Sequence, residues 1–174
     1  MKKELLFAAG AFSAMEPATY AAHRWVMHGA GWVLHKSHHR KPCPPRRWAD
    51  RFERNDWFPV IFASATIAAM ATGSRVSAWR AAVPIGAGVT AYGAAYSFVH
   101  DVYIHRRLGR LPRVAMLERL RDAHAIHHLY GKEPYGMLFP MVGEELREKA
   151  AKALQLGGGL DPLLARPRVT KRQS

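Results

Sequence analysis

Three apolar stretches separated by basic, polar ones set the outline of this 174-residue chain. The first, residues 5–22 (LLFAAGAFSAMEPATYAA), is broken by Glu16 and Pro17, whereas the second, 57–72 (WFPVIFASATIAAMAT), carries no charge. The third, 81–99 (AAVPIGAGVTAYGAAYSFV), is rich in the Gly and Ala that let helices approach closely in a bilayer. A membrane core asks for about 20 apolar residues of helix. The first and third stretches nearly reach that length, and the second does so with its flanks. Each alone also reads as the buried helix of a soluble bundle, a reading favoured by the slightly negative mean hydropathy. Three in so short a chain favour insertion. The pattern predicts an all-α integral membrane bundle with about three to four spanning helices.

The remaining segments are shorter. Residues 40–56 are basic and proline-rich, a loop or interfacial segment. A helix is expected between Pro112 and Gly131, its apolar face marked by Leu117 and Leu120. Residues 134–142 (PYGMLFPMV) are apolar but too short to span, and read as a re-entrant piece, an apolar lip or a plain packing segment. Residues 143–152 read as a polar helix, and the tail from Gly157 onward as flexible.

Charge changes this picture by adding sidedness. A net charge of +13 ordinarily raises nucleic acid as a partner. Here the cations fall between apolar runs, as in a membrane protein with basic cytoplasmic loops, and no nucleic acid is expected. Two apolar runs separate the early polar segment from the late one, so an out-and-back hairpin returns the chain to its starting side. That side carries Arg46, Arg47, Arg51, Arg54, Arg106, Arg107, Arg110, Arg113, Arg119 and Arg121, against Lys2, Lys3, Arg75 and Arg80 on the other. By the positive-inside rule the arginine-rich side faces the cytoplasm, across the inner membrane. Lys2 and Lys3 before an apolar run also suggest a signal peptide, but cleavage would fall almost upon His23, so the run is read as retained. The single cysteine, Cys43, leaves no intrachain disulfide and no cysteine-based zinc or iron–sulfur site.

The candidate chemistry sits at the ends of the apolar runs. All ten histidines fall into four boxes: HRWVMH (23–28), HKSHH (35–39), HDVYIH (100–105) and HAIHH (124–128). Both halves of the chain thus read H-x4-H and then H-x2-HH. On a helix His28, His35 and His39 form one stripe with His38 beside them, and His124, His127 and His128 share a face. The H-x4-H pairs fit an ideal helix poorly, since five residues turn it through about 140° past a full turn. They flank a groove, sit at a helix end or require a local distortion.

Imidazole is the commonest protein metal ligand and suits iron, zinc, copper and nickel. A structural zinc site closes with four ligands, so ten histidines fit two ions better, each with several imidazoles and an open position. An isolated histidine is usually an ordinary core or surface residue, but four boxes with repeated internal spacing are not explained that way. Neutral imidazoles bring no negative charge, so carboxylates are expected to accept from their outer N–H groups. Asp101 and Asp122 are the candidates for this role, with Glu53 and Asp56 behind them. Glu16, an acid within an apolar run, is a functional candidate for its position alone.

These boxes resemble those of the fatty acid hydroxylase superfamily of integral membrane di-iron enzymes, and more closely its β-carotene hydroxylase group. The resemblance rests on HRWVMHG, HKSHH, NDWFPVIFA (55–63), YGAAYSFVHDVYIHRR (92–107) and AHAIHH, and covers residues 10–140. It implies hydroxylation at C3 of a β-ionone ring, with O2 as co-substrate and electrons from reduced ferredoxin. It also implies two iron ions held by His23, His28, His35, His38, His39, His100, His105, His124, His127 and His128 on the cytoplasmic face. Residues 1–150 are then the membrane hydroxylase domain and 151–174 a basic tail. Tyr92, Tyr96 and Phe98 are candidates to line the polyene path, against the commoner reading of such aromatics as packing or lipid-facing residues. After the last box the chain has LYGKEPYGMLFP where many relatives carry a Gly/Ser-rich Phe segment, which leaves a keto-carotenoid or different polyene open as the substrate. A superfamily enzyme acting on a fatty acid or sterol stays open too, as does a non-enzymatic membrane metal-binding protein. The oligomeric state is not legible.

Overall fold

The computed structural model describes residues 1–40, 45 and 47–157, and the described residues are helices with irregular connections. The expected tail beyond Gly157, with part of the basic proline-rich loop, including Cys43 and Arg46, lies outside the described residues. Helix α1 (Lys2–Ala21) runs directly into a π-helical turn, Ala22–Ala30, followed by the single turn α2 (Trp32–His35). Helix α3 (Trp57–Arg75) follows two short 3-10 turns, and a third such turn, Ser77–Trp79, leads into α4 (Ala82–Ser97). Helix α4 passes into a second π-helical turn, Phe98–Ile104, and α5 (Ala115–Tyr130) and α6 (Glu144–Gly157) complete the order.

Local chemistry explains the starts and stops. At the head of α3 the Glu53 backbone N–H donates to Asp56 Oδ2 at 2.9 Å, and Pro59 sits in the first turn, where its missing N–H costs nothing. Helix α5 begins three residues after Pro112 and ends at Gly131, whose φ of +63° supplies the left-handed cap. That bracket is the one the sequence predicts.

Helices α1 and α3 both pack on α4, which makes α4 the middle of a three-helix layer. Glycine sets the spacing. A Cβ added at Gly88 would lie 2.1 Å from the Ala8 carbonyl oxygen, so the α1 and α4 backbones touch there. Large side chains of α3 such as Val60 and Ile61 turn outward, 50% and 59% exposed, which suits lipid rather than water. Two described stretches, Arg54–Arg75 and Ser77–Ile104, are long and apolar enough to cross a membrane. Helix α1 is of similar length but carries Lys2, Lys3, Glu4 and Glu16. The architecture is an all-α membrane bundle.

The apolar core cluster among the described residues is small and lies at the π-helical end of α4, where Val99, Tyr103 and Ile104 meet Ala125 and Met137. Leu117 and Leu120 pack against it, as their spacing on α5 predicts. Residues 134–142 form no helix. They pack onto α1 and α4 instead: Glu16 accepts the backbone N–H groups of Met137, Leu138 and Phe139 at 2.8, 3.1 and 3.0 Å, and the Tyr92 hydroxyl at 2.5 Å. The acid inside the first apolar run therefore satisfies loop backbone that has no partner of its own there.

Candidate metal centre

Both H-x4-H boxes lie on the π-helical turns. The wider i to i+5 repeat removes the misfit the ideal helix presents, and the His105 N–H donates to the His100 carbonyl at 2.9 Å across one such turn. In the early half, Gly29 departs from helical φ/ψ, so residues 28 to 39 do not form one helix. His28, His35 and His39 still meet, though by a broken path rather than along a continuous stripe.

All ten rings come together at one end of the layer and nine of them are buried; His28 is half-buried. The ring nitrogens divide into two groups: His23, His28, His35, His39 and His127 in one, and His38, His105, His124 and His128 in the other. His100 joins the second group, its Nε2 standing 3.0 Å from His38 Nε2. Each group therefore takes four rings from one half of the chain and one from the other. His38 and His127 are the crossed pair, although each shares a box with neighbours that go elsewhere. The groups abut, His39 stacking on His128 with ring centroids 4.4 Å apart.

The spacing of the nitrogens tests whether a metal fits. His35 Nε2 stands 3.2 Å from His23 Nε2 and 3.1 Å from His39 Nε2, and His28 Nε2 lies 3.1 Å from His127 Nε2. In the second group His128 Nε2 is 3.0 Å from His38 Nε2 and 2.9 Å from His124 Nε2, with His105 to His124 at 3.0 Å. One nitrogen cannot donate to two neighbours, so these contacts are not a hydrogen-bond network. Nitrogens bound at right angles about a cation at about 2.1 Å stand about 3.0 Å apart. The donor set fits a metal in each group.

Tautomers agree with this. His23 Nδ1 donates to the Tyr135 carbonyl at 3.0 Å, His35 Nδ1 to Asn55 Oδ1 at 2.7 Å and His127 Nδ1 to the Lys132 carbonyl at 2.6 Å. His38 Nδ1 donates to Glu53 Oε1 at 3.2 Å, and His100 Nδ1 to Asp101 Oδ1 at 2.9 Å. With its proton held outside, each of these rings turns a bare lone pair inward. Burial, seconded by neighbouring imidazoles, drives the affinity for a second proton down: His23 titrates at about 3, and His35, His38, His105, His124, His127 and His128 all below the usual range. At neutral pH they are neutral, the form that binds a metal.

Of the carboxylates singled out in the sequence, Asp101 and Glu53 meet histidines, whereas Asp122 is exposed on α5 and makes no hydrogen bond to a histidine among the described residues. The helical period explains this, because two residues before His124 the side chain points to the opposite face. Asp56 meets Arg107, at 2.8 Å from Nη1, and the same guanidinium reaches Glu53 at 2.6 Å and Asp101 at 3.3 Å. Sequence reasoning missed Arg107, Asn55 and the Lys132 and Tyr135 carbonyls. Arg106 and Arg107 are adjacent and identical in type, and only the backbone turn at Arg106, with φ of +53°, decides which one faces inward.

Below the histidines an apolar cavity of about 420 Å³ opens between α1, α3 and α4. Phe58, Phe62, Ile67 and Val89 are among its walls, and Asn55, His100 and Asp101 lie at its polar end. Tyr92 and Tyr96 line it. Phe98 does not; it is 47% exposed on the outside of the bundle. Tyr96 stacks on His100 with centroids 5.2 Å apart, between cavity and cage.

The fatty acid hydroxylase family model matches residues 8–145. A β-carotene hydroxylase from Pantoea ananas is 42% identical over 134 residues, spanning 72% of this chain and 70% of its own. One from Paracoccus sp. (strain PC1) is 32% identical over 88% of this chain and 91% of its own. A chloroplastic β-carotene 3-hydroxylase from Haematococcus lacustris is 37% identical over 76% of this chain, but only 42% of that longer protein is covered. No solved structure matches the chain significantly.

Proposed function

The chain belongs to the fatty acid hydroxylase family, among its β-carotene hydroxylases, and we propose that it is a membrane monooxygenase hydroxylating the β-ionone ring of carotenoids at C3. β-Carotene would pass through β-cryptoxanthin to zeaxanthin. Each turnover inserts one oxygen atom of O2 into a C–H bond and releases the other as water, consuming two electrons from a ferredoxin-type donor and two protons. Iron in both histidine groups supplies the reduction of O2 and the attack on an unactivated C–H bond, chemistry that zinc cannot perform.

The observation that carries this reading is the joining of an apolar cavity to the histidine cage at His100 and Asp101. From Val89 to His100 the wall is 11 residues of near-helical chain, a depth of about 16 Å. That depth and volume fit a ring with part of its polyene, the remainder lying among lipid. The walls exclude water and position one ring carbon, Tyr96 sets the ring's approach to His100, and the ten histidines hold the metals. Asp101 and Glu53 keep the protons of His100 and His38 on the outer nitrogens. The hydroxylase unit spans residues 1–150.

In this reading α1 crosses the inner membrane beside α3 and α4. Lys2, Lys3, Arg75 and Arg80 lie at one end of the layer, and the arginines around Arg51, Arg110 and Arg119 on the cage side face the cytoplasm and the electron donor. Expression in a host that makes β-carotene tests the function. The parent should yield zeaxanthin, and His38→Ala essentially none. Unchanged β-carotene from the parent, or equal product from both, refutes it.

A further inference from the structure

The two histidine groups differ in what stands behind them. In the first, the outer nitrogens of His23, His35 and His127 donate to a carbonyl, a side-chain amide and a second carbonyl, all neutral. In the second, His38 and His100 donate to the carboxylates of Glu53 and Asp101. Arg107 ties these carboxylates together and reaches Asp56 as well, so three negative charges face one guanidinium. Glu53 and Arg107 are withdrawn from solvent, with side-chain exposures of 6% and 15%. A carboxylate behind an imidazole makes it a stronger donor to its metal, which a neutral carbonyl does less. The fork geometry of Arg107 also fixes both rings, because Glu53 and Asp101 cannot turn without leaving it.

We propose that Glu53 and Asp101, held in place by the Arg107 fork, make the metal centre of His38, His100, His105, His124 and His128 the more readily oxidised of the two, Glu53 acting on His38 and Asp101 on His100. The proposal rests on the reading of both groups as iron sites. Charge, rather than hydrogen bonding alone, sets the difference. Replacing each carboxylate by its amide keeps an acceptor for the ring N–H and removes only the charge. Arg107 keeps Asp56 in the doubly substituted chain, so the ion pair that anchors it survives.

The full-length, iron-loaded protein in detergent micelles is titrated with a graded oxidant and followed by Mössbauer and EPR spectroscopy, after its iron content has been measured. In the Glu53→Gln/Asp101→Asn variant the first oxidation step should become about tenfold less favourable, about 59 mV for one electron, while the second stays in place. The converse variant, Asn55→Asp, puts a carboxylate behind His35 in the first group and should ease the second step with the first unmoved. Iron at two atoms per chain with both steps shifting together, or with neither shifting in either variant, overturns the proposal alone. Iron well below two atoms per chain overturns the di-iron reading and this proposal with it.

Discussion

At the far end of the helix layer α1, α3 and α4 meet through glycine and alanine and turn their large apolar side chains outward; at the histidine end the same helices bury imidazoles, an amide and ion pairs. Among the described residues eleven polar or charged ones are buried against nine apolar ones, nearly all of both at the histidine end. An interior of that composition is not held by the hydrophobic effect, because each buried polar group must recover its lost hydration locally. Close backbone contact holds the first region. Charge pairing and, in the proposed reading, metal binding hold the second. The regions should therefore fail under different treatments.

Removing the metals should separate them most widely. Without a cation, lone pairs about 3 Å apart face one another in each group, and binding free energies on the order of 10 kcal/mol are lost from the cage. Chelation is expected to open the α5 end to hydrogen exchange while amides of α3 and α4 stay protected. Uniform loss of protection would show one cooperative unit and end the contrast. Protons act in the same direction. Because His23 titrates at about 3 in the folded chain and near 6.5 when unfolded, the unfolded chain binds the extra proton between those values. Stability contributed by the neutral ring is complete above about 6.5 and falls as pH drops through that window. Metal content and thermal stability should both decline from pH 7 to pH 5 and hold steady from pH 7 to pH 9.

How much of this was legible in the sequence follows the same division. Helix positions and the out-and-back topology were legible because apolar length and glycine content are local properties, as with the end of α5 at Gly131. The gathering of ten histidines was legible from repeated spacing. Their partition was not: His38 parts from His35 and His39 because the chain leaves the helix after His35, and box spacing does not encode that turn. The π-helical turns could be posed as a misfit of five residues to a helix but not resolved. Arg107 differs from Arg106 only in a backbone dihedral, the Lys132 carbonyl follows the Gly131 cap, and the Tyr135 carbonyl belongs to an apolar stretch that reads equally as a re-entrant piece, a lip or packing.

A middle-sized effect should show how far the two regions communicate. Gly88 lies in the apolar region against Ala8 of α1, and α1 continues into the turn that carries His23 and His28. In Gly88→Leu a Cβ within 2.1 Å of backbone oxygen cannot be relieved by a side-chain rotation, so α1 must shift. A cost of about 1–3 kcal/mol in thermal stability is expected, with hydroxylated product reduced. Gly10→Leu is the control, since a Cβ there meets nothing within 4 Å and Gly10 does not line the cavity. Equal behaviour of the two variants would mean that the α1–α4 contact does not set the cage.

The smallest expected effect tests which face of α4 serves the site. Phe98 and Tyr96 are two residues apart and equal candidates on sequence, yet Tyr96 lines the cavity and stacks on His100 while Phe98 is exposed outside it. An exposed aromatic in a membrane bundle contributes lipid contact that neighbouring apolar side chains replace. Phe98→Ala is therefore expected to change thermal stability by less than about 0.5 kcal/mol and to leave the zeaxanthin yield at the parent level. Tyr96→Ala removes a cavity wall next to His100 and should shift product toward the singly hydroxylated carotenoid or lower it altogether. If Phe98→Ala proved as damaging as Tyr96→Ala in product analysis, the polyene would have to pass along the outer face of α4, and the cavity between α1, α3 and α4 would lose its role.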